Sequence, residues 1–278
     1  MEELKSRYKE LNQKSDNLKQ ASISLISEFY NLSSSFEEAG NLYLSAESLK
    51  RAALMQKELR AVDEVEIRTA AVYFEEASMK YYSINYYGDA AKCVQEAATI
   101  YLEIKDYKQA YKCYGLAKNY YGDSGDYDNC GRAYFNEMDY KRIYYLNLLR
   151  SSKKNWFPSL VKYLKYEIFK VTTNYGESIF RLIVNSTFII LFFSLIYFLL
   201  QDVKIPDNNS ENNFYETPSY SLEYFILCLK FSLSLFSGYS TTPYLLNKYN
   251  FLTSIEVLLG NLMLALFIAI VLRKVSRR

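Results

Sequence analysis

A long run without charge near the carboxyl end limits this chain more than any other feature. Residues 182–200 read LIVNSTFIILFFSLIYFLL, and as a helix they rise about 28 Å, which matches the hydrocarbon thickness of a bilayer. A second run, 249–272, carries one charge, Glu256, near its start. Neither run has the polar face of a soluble helix, so both are predicted to span a membrane.

The charges that flank the two runs predict their orientation. Lys165, Lys170 and Arg181 precede the first run, and RKVSRR follows the second. The segment between them, 201–220, carries four acids and one lysine. By the positive-inside rule both termini lie in the cytoplasm and the acidic loop lies outside. The chain is therefore predicted to be a multi-pass protein of the cell membrane.

A third apolar block lies on the predicted outer side. Residues 224–246 read YFILCLKFSLSLFSGYSTTPYLL, which is too apolar for an exposed loop. As a third span, however, the block would place the carboxyl-terminal basic cluster outside. A re-entrant segment at about 222–246 agrees with both facts, but irregular backbone at that depth needs protein or water around it. Several chains around an axis provide this by forming a pore.

The first half of the chain contains an internal repeat. Residues 70–138 recur with a period of 20, and within each unit small residues lie seven apart, as on one face of a helix. Short joins with glycine and aspartate end one helix and cap the next. We expect a stacked helical array, an α-solenoid, over residues 1–142, with 1–30 as an added leading helix. The positions in register are Ala70, Ala90, Ala110 and Cys130; Tyr73, Cys93, Cys113 and Ala133; Ala77, Ala97 and Ala117; and Tyr81, Tyr101 and Tyr121.

The segment AAKCVQEAATIYLEIKDYKQAYKCYGLAKNYY resembles the tetratricopeptide and SNAP-type helical repeats, over roughly residues 36–140. The resemblance implies a surface for a protein or peptide partner, although a plain scaffold has equal weight. Residues 143–176 form an amphipathic linker, in which Trp156 and the aromatic positions Tyr163, Tyr166 and Phe169 alternate with lysines. That pattern favours a helix at the membrane surface.

Composition argues against catalysis. The chain has no histidine, and its four cysteines (Cys93, Cys113, Cys130 and Cys228) form no CxxC pair. The commonest general base and most zinc or haem sites are thereby excluded. A net charge of +2 gives no reason to expect a nucleic-acid partner. We expect neither an enzyme nor a metal or cofactor site.

Residues 172–278 resemble the two-span potassium channels of the ion-channel superfamily, especially microbial members with a fused cytoplasmic domain. YGES at 175–178, followed by Arg181, is similar to the signature before the first span, and FSL at 231–233 resembles the pore-helix motif. Glu256, Gly260 and the run LMLALFIAIVLRK resemble the inner helix with its glycine hinge.

The chain departs from this family at the selectivity filter, where the family has TxTTxGYGD. Here Gly238-Tyr239-Ser240 aligns with GYG if about two residues are missing, and otherwise Ser240-Thr241-Thr242 falls there. In either alignment the second glycine is lost and no aspartate follows. Hydroxyl groups are then expected to contact or water-bridge a cation, without strict potassium selectivity. The candidate pathway residues are Ser237, Gly238, Tyr239, Ser240, Thr241 and Thr242.

Taken together, the resemblance implies an all-α homotetramer in the lipid bilayer, with 177–278 as a pore for monovalent cations. The alternative is a membrane-anchored adaptor of the tetratricopeptide or SNAP-like type that does not conduct. Glu256 is expected to be an anchor behind the filter rather than part of the ion pathway. Gly260 is either a hinge or a point of close helix packing.

Overall fold

Helices account for almost all of the described chain. The computed structural model describes residues 1–17, 23–59, 64–151, 156–201, 203–204, 220–239, 245–246 and 250–276. Within these ranges the chain forms eleven helices and one antiparallel pair of two-residue strands, so the predicted all-α class is confirmed. The contacts divide the chain into two units, Met1–Ile168 and Phe169–Arg278.

The first unit is a linear array in which each helix packs on the next one, from α1 to α7. Joins of three residues connect α4 to α5, α5 to α6 and α6 to α7, so neighbouring helices run antiparallel, in keeping with an α-solenoid. The predicted single leading helix over 1–30 is wrong, since α1 and α2 divide it. The helices are α1 (Glu2–Asn17), α2 (Ile23–Glu38), α3 (Leu42–Leu59), α4 (Glu64–Ser83), α5 (Tyr87–Glu103), α6 (Tyr107–Asp123), α7 (Tyr127–Ser151) and α8 (Trp156–Thr173).

The small residues of the repeat lie where the helices cross. Ala70, Ala90 and Ala110 are completely buried, as are Ala77 and Ala97. Because alanine has no side chain beyond Cβ, neighbouring backbones approach closely at these positions, and the buried tyrosines fill the space between them. The period of 20 in the sequence therefore corresponds to one helix of the array, with its buried alanines at equivalent positions in each repeat.

The same turn ends α4, α5 and α6. Asn85, Lys105 and Gly125 have φ values of 63°, 59° and 75°, in the left-handed region. The following residue donates its backbone N–H to a carbonyl five residues back, which is the Schellman arrangement. Those bonds join Tyr86 N to Tyr81 O (2.9 Å), Asp106 N to Tyr101 O (2.8 Å) and Asp126 N to Tyr121 O (2.9 Å).

A ladder of tyrosine hydroxyls connects successive helices of the array. The Tyr101 hydroxyl donates to Glu75 on α4 at 2.7 Å, and the Tyr121 hydroxyl donates to Gln95 on α5 at 3.1 Å. One unit earlier, Tyr81 donates to Glu47 on α3. Burial, together with the hydrogen bond to Glu75, raises the pKa of Tyr101, so this hydroxyl keeps its proton at neutral pH. We call these three donor–acceptor pairs the tyrosine ladder.

The second unit contains two helices, α9 and α11, that are long and apolar enough to cross a membrane. Only 22% of each apolar window is buried, whereas a core helix of a soluble protein is mostly buried. Both lie close to the runs predicted as spans. The remaining elements are α9 (Ile179–Leu200), β1 (Val203–Lys204), α10 (Leu222–Phe236), β2 (Leu245–Leu246) and α11 (Asn250–Ser276).

Two aromatic residues of α8 stack on or meet other aromatic rings. The Tyr166 ring stacks on Tyr145 of α7, with centroids 5.9 Å apart and planes inclined by 8°. The Phe169 ring meets Tyr175 edge-on at 5.9 Å. These two rings therefore contact protein, and the amphipathic helix at the membrane surface stays a prediction.

The turn at Lys105 yields a prediction about stability. Lysine is unfavourable in the left-handed region, so Lys105→Gly should raise the free energy of unfolding by about 0.5 kcal/mol. Lys112→Gly, in the exposed interior of α6, should instead lower it by about 1 kcal/mol. Urea unfolding followed by circular dichroism gives both values. Equal losses in the two variants would contradict the turn at residue 105.

Candidate functional site

The YGES signature forms the turn before α9. The φ values of residues 174–176 are 53°, 59° and 79°, so three successive residues lie in the left-handed region. Tyr175 is completely buried, and Gly176 provides the position where a side chain is least tolerated. The Ser178 Oγ then accepts a hydrogen bond from Arg181 N at 3.2 Å and caps α9. Tyr175, Gly176 and Ser178 of the signature therefore each have a local structural role.

Helix α10 contacts α9 at two different levels. Near its start, the Tyr224 hydroxyl accepts a hydrogen bond from the backbone N–H of Val203, just beyond the end of α9, at 3.3 Å. Ten residues from its start, the Ser232 hydroxyl lies 3.0 Å from the carbonyl of Ile190, in the middle of α9. After α10 the chain returns to the first level, because β2 pairs with β1 through Val203 and Leu246.

Glu256 lies at the centre of the second unit and is completely buried. The Tyr197 hydroxyl of α9 donates to its Oε2 at 2.7 Å. The Ser232 hydroxyl of α10 contacts its Oε1. One side chain of α11 thus bonds to both other helices, as expected of an anchor.

The Ser232 hydroxyl lies between two oxygen atoms, so the protonation state of Glu256 determines which of them it donates to. The Ser232 hydroxyl carries one proton but contacts two oxygens, Glu256 Oε1 and the Ile190 carbonyl. If Glu256 is a carboxylic acid, it donates to Ser232, Ser232 donates to Ile190, and Tyr197 donates to the other carboxyl oxygen. A carboxylate would leave one of the two contacts of Ser232 without a proton.

Gly260 is a point of close packing between α11 and the end of α10. A Cβ atom added there would lie 2.1 Å from the carbonyl oxygen of Phe236 and 2.9 Å from its carbon. Only glycine permits this approach. Helix α11 is continuous through Gly260.

The first three candidate pathway residues follow α10 directly. Gly238 has a φ of 69°, and its N–H donates to Leu235 O at 3.1 Å, while Tyr239 N donates to Ser234 O at 3.0 Å. Gly238 is thus the glycine of a helix-ending turn like those of the repeat. Tyr239 is 77% exposed, and a Cβ added at Gly238 would meet nothing within 4 Å. Ser240, Thr241 and Thr242, like the acidic loop 205–219, lie outside the described residues.

Two cysteines of the helical array are buried. Burial raises the pKa of Cys93 to about 12 and also raises the pKa of Cys113, so these thiols stay protonated at neutral pH. Within the described ranges, no three His, Cys, Asp or Glu side chains form a group that could hold a metal ion.

Comparison of the chain with protein-family models, with curated proteins and with solved structures gives no match.

Sequence reasoning missed Tyr197 as the partner of Glu256, and it missed the β1–β2 pair. A signal for the first was present, because a tyrosine inside an apolar run needs a partner for its hydroxyl, and a buried carboxyl group supplies one. The strands consist of two residues each, too short for any pattern to appear.

Glu256 substitutions test the anchor. Glutamine keeps a donor for Ser232 and an acceptor for Tyr197, so Glu256→Gln should change the stability of the detergent-solubilised protein by less than about 1 kcal/mol. Glu256→Ala leaves buried hydroxyls without a partner and should cost about 3 kcal/mol or more. Thermal denaturation distinguishes the two. A glutamine variant as unstable as the alanine variant would show that the negative charge is required.

Gly260→Ala tests the close approach of α11 and α10. The added methyl group would force the end of α10 away, so we expect a loss of about 1–3 kcal/mol in the same assay. Gly88→Ala is the matched control, because a Cβ at this helical glycine meets nothing within 4 Å. Equal stability of the two variants would be inconsistent with contact at Phe236.

Proposed function

We propose that four copies of this chain assemble into a cation-conducting pore in the cell membrane, with the first unit as a cytoplasmic helical-repeat domain. The path of the second unit supports this most directly. Helix α10 leaves the outer end of α9, reaches the level of Ile190, and the chain then returns to pair with β1. At 15 residues, α10 rises about 22 Å, too short to cross a bilayer alone. We infer that α10 is a re-entrant pore helix.

The surfaces that one copy leaves uncovered support assembly. Only 22% of the apolar window of α9 and of α11 is buried in a single chain, and Ser237, Gly238 and Tyr239 at the end of α10 are exposed. Irregular backbone that follows a membrane-inserted helix needs water or protein around it. Four copies around an axis supply both, since they enclose a water-filled path and cover one another.

The end of α10 is a favourable place for a cation. The last carbonyl groups of a helix carry a partial negative charge, and here they precede the pathway residues directly. Gly238 serves as the helix-ending glycine, which favours the alignment in which Ser240, Thr241 and Thr242 occupy the filter. Such a filter has hydroxyl groups but lacks the glycines that orient four successive carbonyl rings. We expect weak selectivity between potassium and sodium.

A membrane-anchored adaptor is the second candidate function. The loss of the second filter glycine at Ser240 favours it, because a tether does not need an ion pathway. In both cases the helical array offers a surface for a protein or peptide partner. Assembly and conduction distinguish the two functions. If cross-linking of the purified protein yields no oligomers, the pore is contradicted. Tetramers that assemble but carry no current favour the adaptor.

Reconstitution into planar bilayers tests conduction. We expect monovalent cation currents with a weak preference for potassium, and Gly238→Val should abolish them while tetramers still form, because it adds four branched groups beside the path. Gly125→Val is the matched control, with a φ of +75° and open space around it as at Gly238. It strains the same kind of turn in the array but should leave the current of each assembled channel unchanged. Strong potassium selectivity would contradict the proposed filter.

Cysteine labelling on intact cells tests the orientation. In a Cys130→Ala background, Ser210→Cys in the acidic loop should react with an impermeant maleimide, whereas Lys112→Cys should react only after permeabilisation. Lys112 is chosen because it is exposed on α6, whereas the neighbouring Cys113 is buried. The reverse pattern would place the repeat domain outside the cell.

A further inference from the structure

Helix α8 has two unlike faces, and one of them packs on α7. The Tyr166 ring stacks on Tyr145, and the Arg142 guanidinium binds the Glu167 carboxylate at 3.0 Å. The Lys162 ammonium lies 5.1 Å from the centre of the Tyr145 ring. These contacts fix the rotation of α8 about its own axis.

Another face of α8 exposes large apolar side chains. They are spaced by four and three residues alternately, so they form one line along the whole helix. We call this line the α8 stripe. It consists of Phe157 (66% exposed), Val161 (52%), Leu164 (44%), Ile168 (61%) and Val171 (54%).

The charges of α8 indicate what covers the stripe. The helix contains three lysines (Lys162, Lys165 and Lys170) and one acid, Glu167, which is already bound to Arg142. Lys165 is exposed beside the stripe. An apolar line bordered by lysines matches the boundary between acyl chains and anionic head groups, where the stems of the lysines lie along the hydrocarbon and their ammonium groups reach the phosphates. A second copy of α8 would instead bring lysines against lysines.

The connection to α9 places α8 within reach of a bilayer. Only residues 174–178 separate its end from the first candidate span. The Asn185 side chain on α9 donates to the carbonyls of Val171 and Thr172, both at 3.1 Å. The last turn of α8 is therefore hydrogen-bonded to the second turn of α9.

We infer that α8 lies in the surface of a bilayer that contains anionic lipid, with the α8 stripe turned toward the acyl chains. This assignment concerns a different face from the one that the aromatic pattern of the sequence predicts. It depends on α9 entering a membrane but not on whether the assembled protein conducts ions.

Tryptophan fluorescence of the full chain in vesicles tests the inference. Trp156 is the chain's only tryptophan, 53% exposed and next to Phe157 at the start of the stripe. Exchanging the two residues (Trp156→Phe with Phe157→Trp) moves the reporter onto the stripe. In vesicles of phosphatidylcholine with phosphatidylglycerol, lipids brominated on the acyl chains should quench this reporter, and aqueous iodide should not. Replacing phosphatidylglycerol by phosphatidylcholine should reduce lipid quenching on the order of twofold, as lysine attraction is lost.

Charge variants supply the control. Leu164→Glu and Ile168→Glu should each shift the reporter from lipid quenching to iodide quenching, whereas Leu116→Glu, at a leucine of α6 that is 41% exposed, should not.

Iodide quenching of the unmodified stripe would overturn the inference by placing it in water. Protection from both quenchers would also overturn it, because protein would then cover the stripe. Equal lipid quenching in both kinds of vesicle would overturn the role of anionic lipid. None of these results bears on the bilayer currents, so the two proposals fail separately.

Discussion

The second unit depends on one buried carboxyl group. Glu256 supplies a hydrogen bond between α10 and α11, whereas Tyr224 and Ser232 also bond to Val203 and Ile190. Many of the other contacts of α10 are apolar, and a lipid bilayer would offer contacts of the same kind. The hydrogen bonds of Glu256 with Tyr197 and Ser232 have no equivalent in hydrocarbon, so they join α9, α10 and α11 at one point. The close approach at Gly260 follows from this, because it requires the end of α10 to lie directly against α11.

The first unit achieves order differently, by repeating a small set of contacts. Buried alanines lie between its helices, a left-handed residue ends α4, α5 and α6, and a tyrosine hydroxyl from each of these helices reaches the helix before it. No single residue of the array has the importance of Glu256, since each repeat contacts only its neighbours. The two units therefore respond differently to substitution: the array weakens locally, whereas the second unit loses the position of a whole helix.

The sequence predicted the features that depend on periodicity and charge, and it missed those that depend on a partner distant in the chain. The period of 20, the start of α10 and both apolar helices were correct, because each is encoded within a short stretch. The aromatic pattern of α8 alone did not reveal that Tyr166 stacks on Tyr145 of the preceding helix. The link between Tyr197 and Glu256 joins residues 59 positions apart, and Ser240, Thr241 and Thr242 stay a prediction.

The tyrosine ladder gives the array a direction. Each hydroxyl belongs to the later helix and each acceptor to the earlier one, as with Tyr101 and Glu75. During synthesis from the amino terminus, every new helix therefore meets an acceptor that has already left the ribosome. The last helix of a partly synthesised array therefore exposes carboxylate or amide acceptors, which water can solvate. Each tyrosine of the ladder is synthesised after its acceptor, so its hydroxyl has a partner as soon as its own helix packs.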